Sequence, residues 1–309
     1  MNIGGENPGV PQRPPASAYM LVDSLDRYGK FYPVENNFTS SSDWKLNFQT
    51  PVIQGYFTRL CLTQVNFNWN IPTILFNYND LMLISVLNTP DADLQTITLS
   101  PGFYTPTTLA AQIQSKCVTA FPNSSITCVW DPLLGCFTLA TGVVGGFIGI
   151  IGNTAPSGSS VIMRRVRCLQ TLGFANVAIS GPNPTDNSVS GNCPTMLATR
   201  FVDICSSFLT KYQRVKDGTT LVMSPRQDMI CRLFAVAPNT RYNITANDSP
   251  GSTPFTIVQD MNNPKFFKWS PDETISNFDI EVRDEYGEIL PVQQSFCSEY
   301  QLTFMVSET

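Results

Sequence analysis

Hydrophobic and polar residues alternate with a period of two over most of this chain, and one segment switches to a period of four. Trp44, Leu46 and Phe48 alternate with Lys45 and Asn47, as a half-buried strand requires, and Pro51 ends the run. A longer alternation covers YFTRLCLTQVNFNWNI. It places Phe57, Arg59, Cys61, Thr63, Val65, Phe67 and Trp69 on one face, with Leu60, Leu62 and the tail asparagines on the other. Shorter runs predict strands at AYMLVDS from Ala18, at DLMLISVL, and at SITCVW and GCFTLA on either side of the turn beginning at Asp131. TRFVDICSSFL, TTLVMS and MICRLFAVA continue the series. From Pro254 onward short β runs follow one another to a final strand, with no helix pattern between them. Strands arranged this way read as a sheet being completed rather than as the lining of a pocket.

The period of four belongs to Leu109, Ile113, Cys117 and Phe121, an apolar stripe that must lie on a sheet. Thr105 is the expected N-cap, Pro106 the first helical residue, and Pro122-Asn123 the stop. GVVGGFIGIIG (Gly142 to Gly152) reads as a buried strand or close backbone crossing, with an exposed adaptable loop as the alternative. VIMRRVRC is read as a strand with Arg165 and Arg167 on one face and Arg164 on the other. Residues 181–194 are linker-like. The pattern therefore predicts an all-β protein: a β-sandwich in two arms, residues 18–90 and 190–309, around a small α+β insertion at 91–189. Residues 1–17, rich in Gly and Pro, form an extended arm that either docks beneath a neighbour or is an ordinary loose terminus.

Composition narrows the function. There is no histidine, so a Ser-His or Cys-His nucleophile is excluded, along with the commonest zinc ligand. The nine cysteines contain no CxxC pair and no leader is evident, which leads us to expect reduced thiols. No apolar run approaches the ~18 residues of a membrane span. The net charge of −5 argues against non-specific nucleic-acid binding, and the acid is concentrated after Leu221, with 12 acidic and 6 basic residues. Only 14% of residues are charged, which suits a surface covered by partners.

Candidate chemistry is sparse. Asp284, Glu285 and Glu288 cluster near Gly287, and the simplest reading is a solvated turn rather than a carboxylate pair. No phosphate-binding glycine loop and no EF-hand spacing occurs, so no cofactor and no metal is expected. Sequons at Asn37, Asn123, Asn243 and Asn247 are at the frequency that an Asn- and Ser-rich chain gives by chance. Arg164, Arg165 and Arg167 form the one basic cluster. They are either a solvated face or a contact for an anionic surface, such as a glycan or an acidic neighbour.

Four segments carry a resemblance: SPGFYTPTTLAAQI (Ser100 to Ile113), LQTLGF (Leu169 to Phe174), NPKFFKW (Asn263 to Trp269) and FDIEVRDEYGEIL (Phe278 to Leu290). Their order resembles the penton proteins of virophages and related polinton-like viruses. The resemblance implies a single jelly-roll β-sandwich with an insertion, since the major capsid proteins of that lineage pair two jelly rolls in a far longer chain. It further implies a structural protein of the virion, not an enzyme, assembled in the host cell as a homopentamer at the icosahedral vertices. The implied partners are other copies of itself, the major capsid protein and minor capsid proteins, with the insertion as the place for any host glycan or receptor. Arg13, Pro14 and Pro15 of the arm, with Arg164, Arg165 and Arg167, are the candidate capsid contacts. Two alternatives stay open: a minor or major capsid protein of the same lineage, or a carbohydrate-binding attachment protein, which exposed Tyr104 or Trp130 would favour.

Overall fold

The computed structural model describes residues 16–28, 40–47, 50–51, 53–54, 57–87, 93–151, 159–174, 187–211, 228–235, 252–269, 274–291 and 297–308. Three strands come first: β1 (Ser17–Asp23), β2 (Asp43–Asn47) and β3 (Phe57–Trp69). Then follow β4 (Leu81–Leu87), β5 (Asp93–Thr98), α1 (Pro106–Ala120), β6 (Ile126–Asp131), β7 (Cys136–Thr141), β8 (Phe147–Ile150), α2 (Ser159–Leu172) and β9 (Ser188–Ser190). Six strands finish the series: β10 (Phe201–Cys205), β11 (Met229–Phe234), β12 (Phe255–Asp260), β13 (Phe266–Lys268), β14 (Asn277–Arg283) and β15 (Tyr300–Glu308).

One sheet has the order β1-β15-β3-β12, with β13 also on β3, and a second has the order β11-β10-β14-β2. If β4 to β9 are set aside and β12 and β13 are counted as one strand, the remaining eight run 1-8-3-6 and 2-7-4-5 across the two sheets. First pairs with last, second with next to last, and so on inward. This is the nested pairing of a jelly roll, all of it antiparallel and neither sheet closed into a barrel. Between the sheets lies one core that includes Trp44, Leu60, Phe67, Trp69, Val202, Ile280 and Phe304. Aromatic contacts tie the sheets together. Trp44 Nε1 donates to the Tyr300 hydroxyl at 2.5 Å, which donates to the Ser41 carbonyl, and the Tyr300 ring stacks on Phe67 with centroids 5.8 Å apart.

Along β3 the expected alternation holds only in part. The register with β15 shifts between Thr303 and Phe304, so Thr63 is an extra residue opposite that step. Leu60 and Leu62 face the core before the bulge, and Val65, Phe67 and Trp69 face it afterwards. Arg59 and Cys61 fall on the outer face with Gln64 and Asn66. The predicted single face is thus divided in two, because one inserted residue reverses the phase of a period-two pattern.

A second core lies among β4 to β9 and both helices, and includes Ile84, Leu109, Ile113, Phe137, Leu139, Leu169 and Leu172. β4, counted from the sequence with the first arm, pairs with β5 and β8. Helix α1 matches its expected cap: Thr105 and Thr108 form a reciprocal capping box, with Pro106 opening the helix. In the glycine-rich stretch, Phe147–Ile150 is a strand paired with β4.

VIMRRVRC is not a strand but the body of α2. Its β-branched residues suggested alternation, yet Cys168, Leu169 and Leu172 enter the second core at helical spacing, with Arg165 one turn before them and Arg167 and Thr171, four apart, also buried. The helix is stopped by Gly173 at φ +79°, whose N–H reaches the Gln170 carbonyl while Phe174 N–H reaches that of Leu169. That is a Schellman closure, with Phe174 and Leu169 in the same core. A Cβ on Gly173 would lie 2.3 Å from the Asn192 carbonyl oxygen, so the glycine of LQTLGF is required twice over.

Candidate assembly surface

The bulged register of the first sheet decides what its outer face presents. Reading across β1, β15, β3 and then β13 or β12 gives four cross-strand rows. Ser17, Ser307, Arg59 and Lys268 make the first, and Tyr19, Met305, Cys61 and Phe266 the second. Leu21, Thr303, Gln64 and Asp260 make the third, and Asp23, Gln301, Asn66 and Val258 the fourth. Tyr19, Leu21 and Val258 are each more than half exposed, and Phe266 nearly so. Polar members of the face satisfy one another sideways: Gln64 Nε2 donates to Asp260 at 2.9 Å and Gln301 Nε2 to Asp23 at 2.7 Å. The result is a face with an exposed apolar stripe at Tyr19, Leu21, Phe266 and Val258, flanked by the charges of Asp23, Arg59, Asp260 and Lys268, a mixture suited to burial against another protein surface. A signal for it was present in AYMLV, where Tyr19 and Leu21 are apolar although Met20 and Val22 already fill the core side.

Basic residues of α2 point elsewhere. Arg164 makes a two-pronged contact with Asp80, Nε to Oδ1 at 2.9 Å and Nη2 to Oδ2 at 3.0 Å. Arg167 is 5% exposed and crosses from the second core to the jelly roll. It meets Glu288 at 2.7 Å and Asp284 at 3.6 Å, between the rings of Tyr78 and Tyr286 at 4.2 and 4.6 Å. Arg165 is buried without a carboxylate partner among the described residues, and its burial lowers its pKa. Arg13, Pro14 and Pro15 lie outside the described residues.

The turn from Asp284 to Glu288 is the solvated tip expected at Glu288, which is 61% exposed, but not at Asp284. Its carboxylate is fully buried, accepting from the Tyr78 hydroxyl at 2.7 Å and from the backbone N–H groups of Tyr286 and Glu288, both at 2.9 Å. Burial raises its pKa against the lowering effect of Tyr78 and Arg167, and burial and Asp284 push the Tyr78 phenol well up. Sequence shows the acids of this turn but not their partners, because Tyr78 and Arg167 lie more than a hundred residues away. The arrangement fastens the inserted elements to the sandwich.

Of the nine free cysteines, Cys193 is exposed, Cys297 is half-buried and the other seven are buried. Burial pushes the Cys117 and Cys128 thiols up to about 12, so they remain unreactive thiols at neutral pH. Among the described residues no group of three or more Cys, Asp or Glu side chains is placed to hold a metal, and no helix is long and apolar enough to cross a membrane. Tyr104 is half-buried, donating to the Ser100 carbonyl and accepting from Gln112, and Trp130 packs on Phe137 with ring centroids 5.0 Å apart. Neither is the exposed platform that a sugar ring would need.

The two sheets define a single jelly roll with an insertion between its third and fourth strands. Compared with solved structures, the chain is similar to the mavirus penton protein, with a TM-score of 0.50 and 9% identity over 96% of this chain and 100% of that one. A chain of the Sputnik virophage structure aligns with a TM-score of 0.42 and 9% identity, over 95% of this chain and 98% of that one. No protein-family model matches the sequence. No curated protein matches it either.

Proposed function

We propose that this chain is a structural capsid protein, the penton of an icosahedral virion, and that it closes into a ring of five. The observation that carries the reading is the shared fold with the mavirus penton protein over the full length of that chain, insertion included. The apolar stripe through Tyr19, Met305 and Phe266 supports it as the surface on which a second copy seats. Contact is head-to-tail: this outer face meets a different face of the next protomer, and rotation closes the ring. In this reading the insertion, expected at residues 91–189 and taking in β4 as well, forms a module projecting from the vertex. The arm with Arg13, Pro14 and Pro15 reaches toward the capsid interior or the adjacent major capsid protein, and minor capsid proteins fill remaining contacts. No step of the role calls for catalysis.

Native mass measurement of the purified protein tests the ring. Five copies are expected, and stable trimers, or a monomer at every concentration, would overturn it. Tyr19→Asp combined with Phe266→Asp should abolish the ring while leaving the monomer's thermal midpoint nearly unchanged, because both side chains are outside the core.

A further inference from the structure

We infer that the groove between α1 and the open edge of β6 is a docking site for an extended, uncharged peptide, which joins the sheet as a further strand. β6 is the outer strand of the sheet β6-β7-β9. The bonds of β7 fix which way the backbone of β6 faces. The Phe137 carbonyl accepts from Gly191 N–H, and Thr141 N–H donates to the Asn187 carbonyl, so Phe137, Leu139 and Thr141 are turned toward β9. Cys136, Thr138 and Ala140 are left to bond Asp131, Val129 and Thr127 of β6. The N–H and carbonyl groups of Ile126, Cys128 and Trp130 therefore point out of the sheet, repeating about every 6.8 Å. One of them has a partner among the described residues: Cys128 N–H donates to Gln114 Oε1 of α1 at 3.1 Å.

That row of groups identifies the occupant. Donors and acceptors alternating at strand spacing match the backbone of an extended chain, and the side-chain amide oxygen of Gln114 already stands in for one carbonyl of it. Edge strands that must stay single carry Lys, Pro or a bulge. Residues 123–130 have no charge and no proline, and the β6–β7 register runs without a shift. Residues opposite one another in a sheet share a face, so the added strand would send every second side chain toward α1, as Ile126 and Cys128 do. There Ala110, Ala111 and Val118 form the helix wall of a groove of about 540 Å³, whose floor includes Cys128 and Trp130 and whose lining holds no charged residue. The fitting partner has Ala or Val at alternate positions and uncharged polar residues between them. This inference does not depend on the ring of five.

Titrating the full chain with an acetylated and amidated Ser-Val-Ser-Val-Ser-Val peptide tests it. Trp44, Trp69 and Trp269 are buried, so a change in tryptophan fluorescence reports Trp130 in the groove. Saturable binding is expected. The Val residues face α1 and pair with Ile126, Cys128 and Trp130, so methylating the three Val nitrogens should weaken binding at least tenfold. Methylating the three Ser nitrogens, which point away from β6, should change it less than threefold. Val118→Lys, on the exposed face of α1, should also weaken it at least tenfold, whereas Leu133→Ser, outside the groove, should leave it unchanged. No saturation at millimolar peptide would overturn the inference. So would equal losses from the two methylation patterns, which would remove strand pairing as the mode, or undiminished binding to Val118→Lys, which would place the peptide elsewhere.

Discussion

Replacing Asp284 by Asn should destabilise the protein far more than replacing any other acid of its turn. The carboxylate is fully buried and its two oxygens are divided between tasks: Oδ1 closes the turn onto Tyr286 and Glu288, while Oδ2 faces the Tyr78 hydroxyl and Arg167. Asparagine can keep the first set, but its amide then points a donor at the Arg167 guanidinium, which cannot accept, and at the Tyr78 hydroxyl, which must turn its own proton away to accept. Removing one partner of a buried ion pair costs about 3–5 kcal/mol, because the remaining charge stays desolvated. Here Glu288 persists at 2.7 Å from Arg167 and is largely exposed, so part of that charge stays paired. We therefore expect a loss of about 2–4 kcal/mol for Asp284→Asn. Glu288→Gln should lose less, about 1 kcal/mol, because the Glu288 side of the pair is largely exposed and a glutamine oxygen can still accept from Arg167. Urea unfolding followed by tryptophan fluorescence measures both, and Arg167→Met with the double variant completes a cycle. A coupling energy of about 1–3 kcal/mol is expected for groups in one network. If Asp284→Asn unfolds within about 0.5 kcal/mol of the wild type, or the coupling is zero, the junction is not held by this pair.

Two glycines with positive φ should respond differently to alanine. Gly135→Ala, in open space, should cost about 1 kcal/mol for the backbone conformation alone, whereas Gly173→Ala adds a collision with the Asn192 carbonyl and should cost clearly more in thermal melts. Acid should weaken the fold through Asp279 and Glu299. Burial would raise both carboxyls, but Ser207, Ser206 and the N–H of Phe208 hold Asp279 below its usual range, and Arg27 and Ser24 do so for Glu299. A lowered folded pKa contributes stability that is fully present above the unfolded value and lost as pH falls through the folded one, so the decline should set in below about pH 4. Asp279→Asn should be less stable at pH 7 yet flatten that decline, and an unchanged acid slope would contradict the assignment. Thr105→Ala should remove the α1 capping box at a cost of about 1 kcal/mol, read as a lowered urea midpoint.

What the sequence by itself determined is what depends on neighbouring residues. Side chains alternate along a strand and recur every three or four residues along a helix, so β1, β2, β6, β7 and α1 are legible from residues in one short window. The N-cap at Thr105 and the turn at Asp131 are likewise built from their own neighbours. Tertiary structure alone decided which strands pair and which polar groups are buried. β1 pairs with β15 at the far end of the chain, and a one-residue bulge at Thr63 reverses which side of β3 is core. VIMRRVRC carries enough β-branched residues to pass for a strand. Its surroundings make it a helix, because β4 lies beneath it and Gly173 closes it. Asp284 looked solvated because nothing within its own segment supplies a cation, and Arg167 reaches it only once the inserted elements dock on the sandwich. Local pattern sets the conformation of a segment. Burial, and with it the energetic meaning of a charge, is set by residues that the fold brings from elsewhere in the chain.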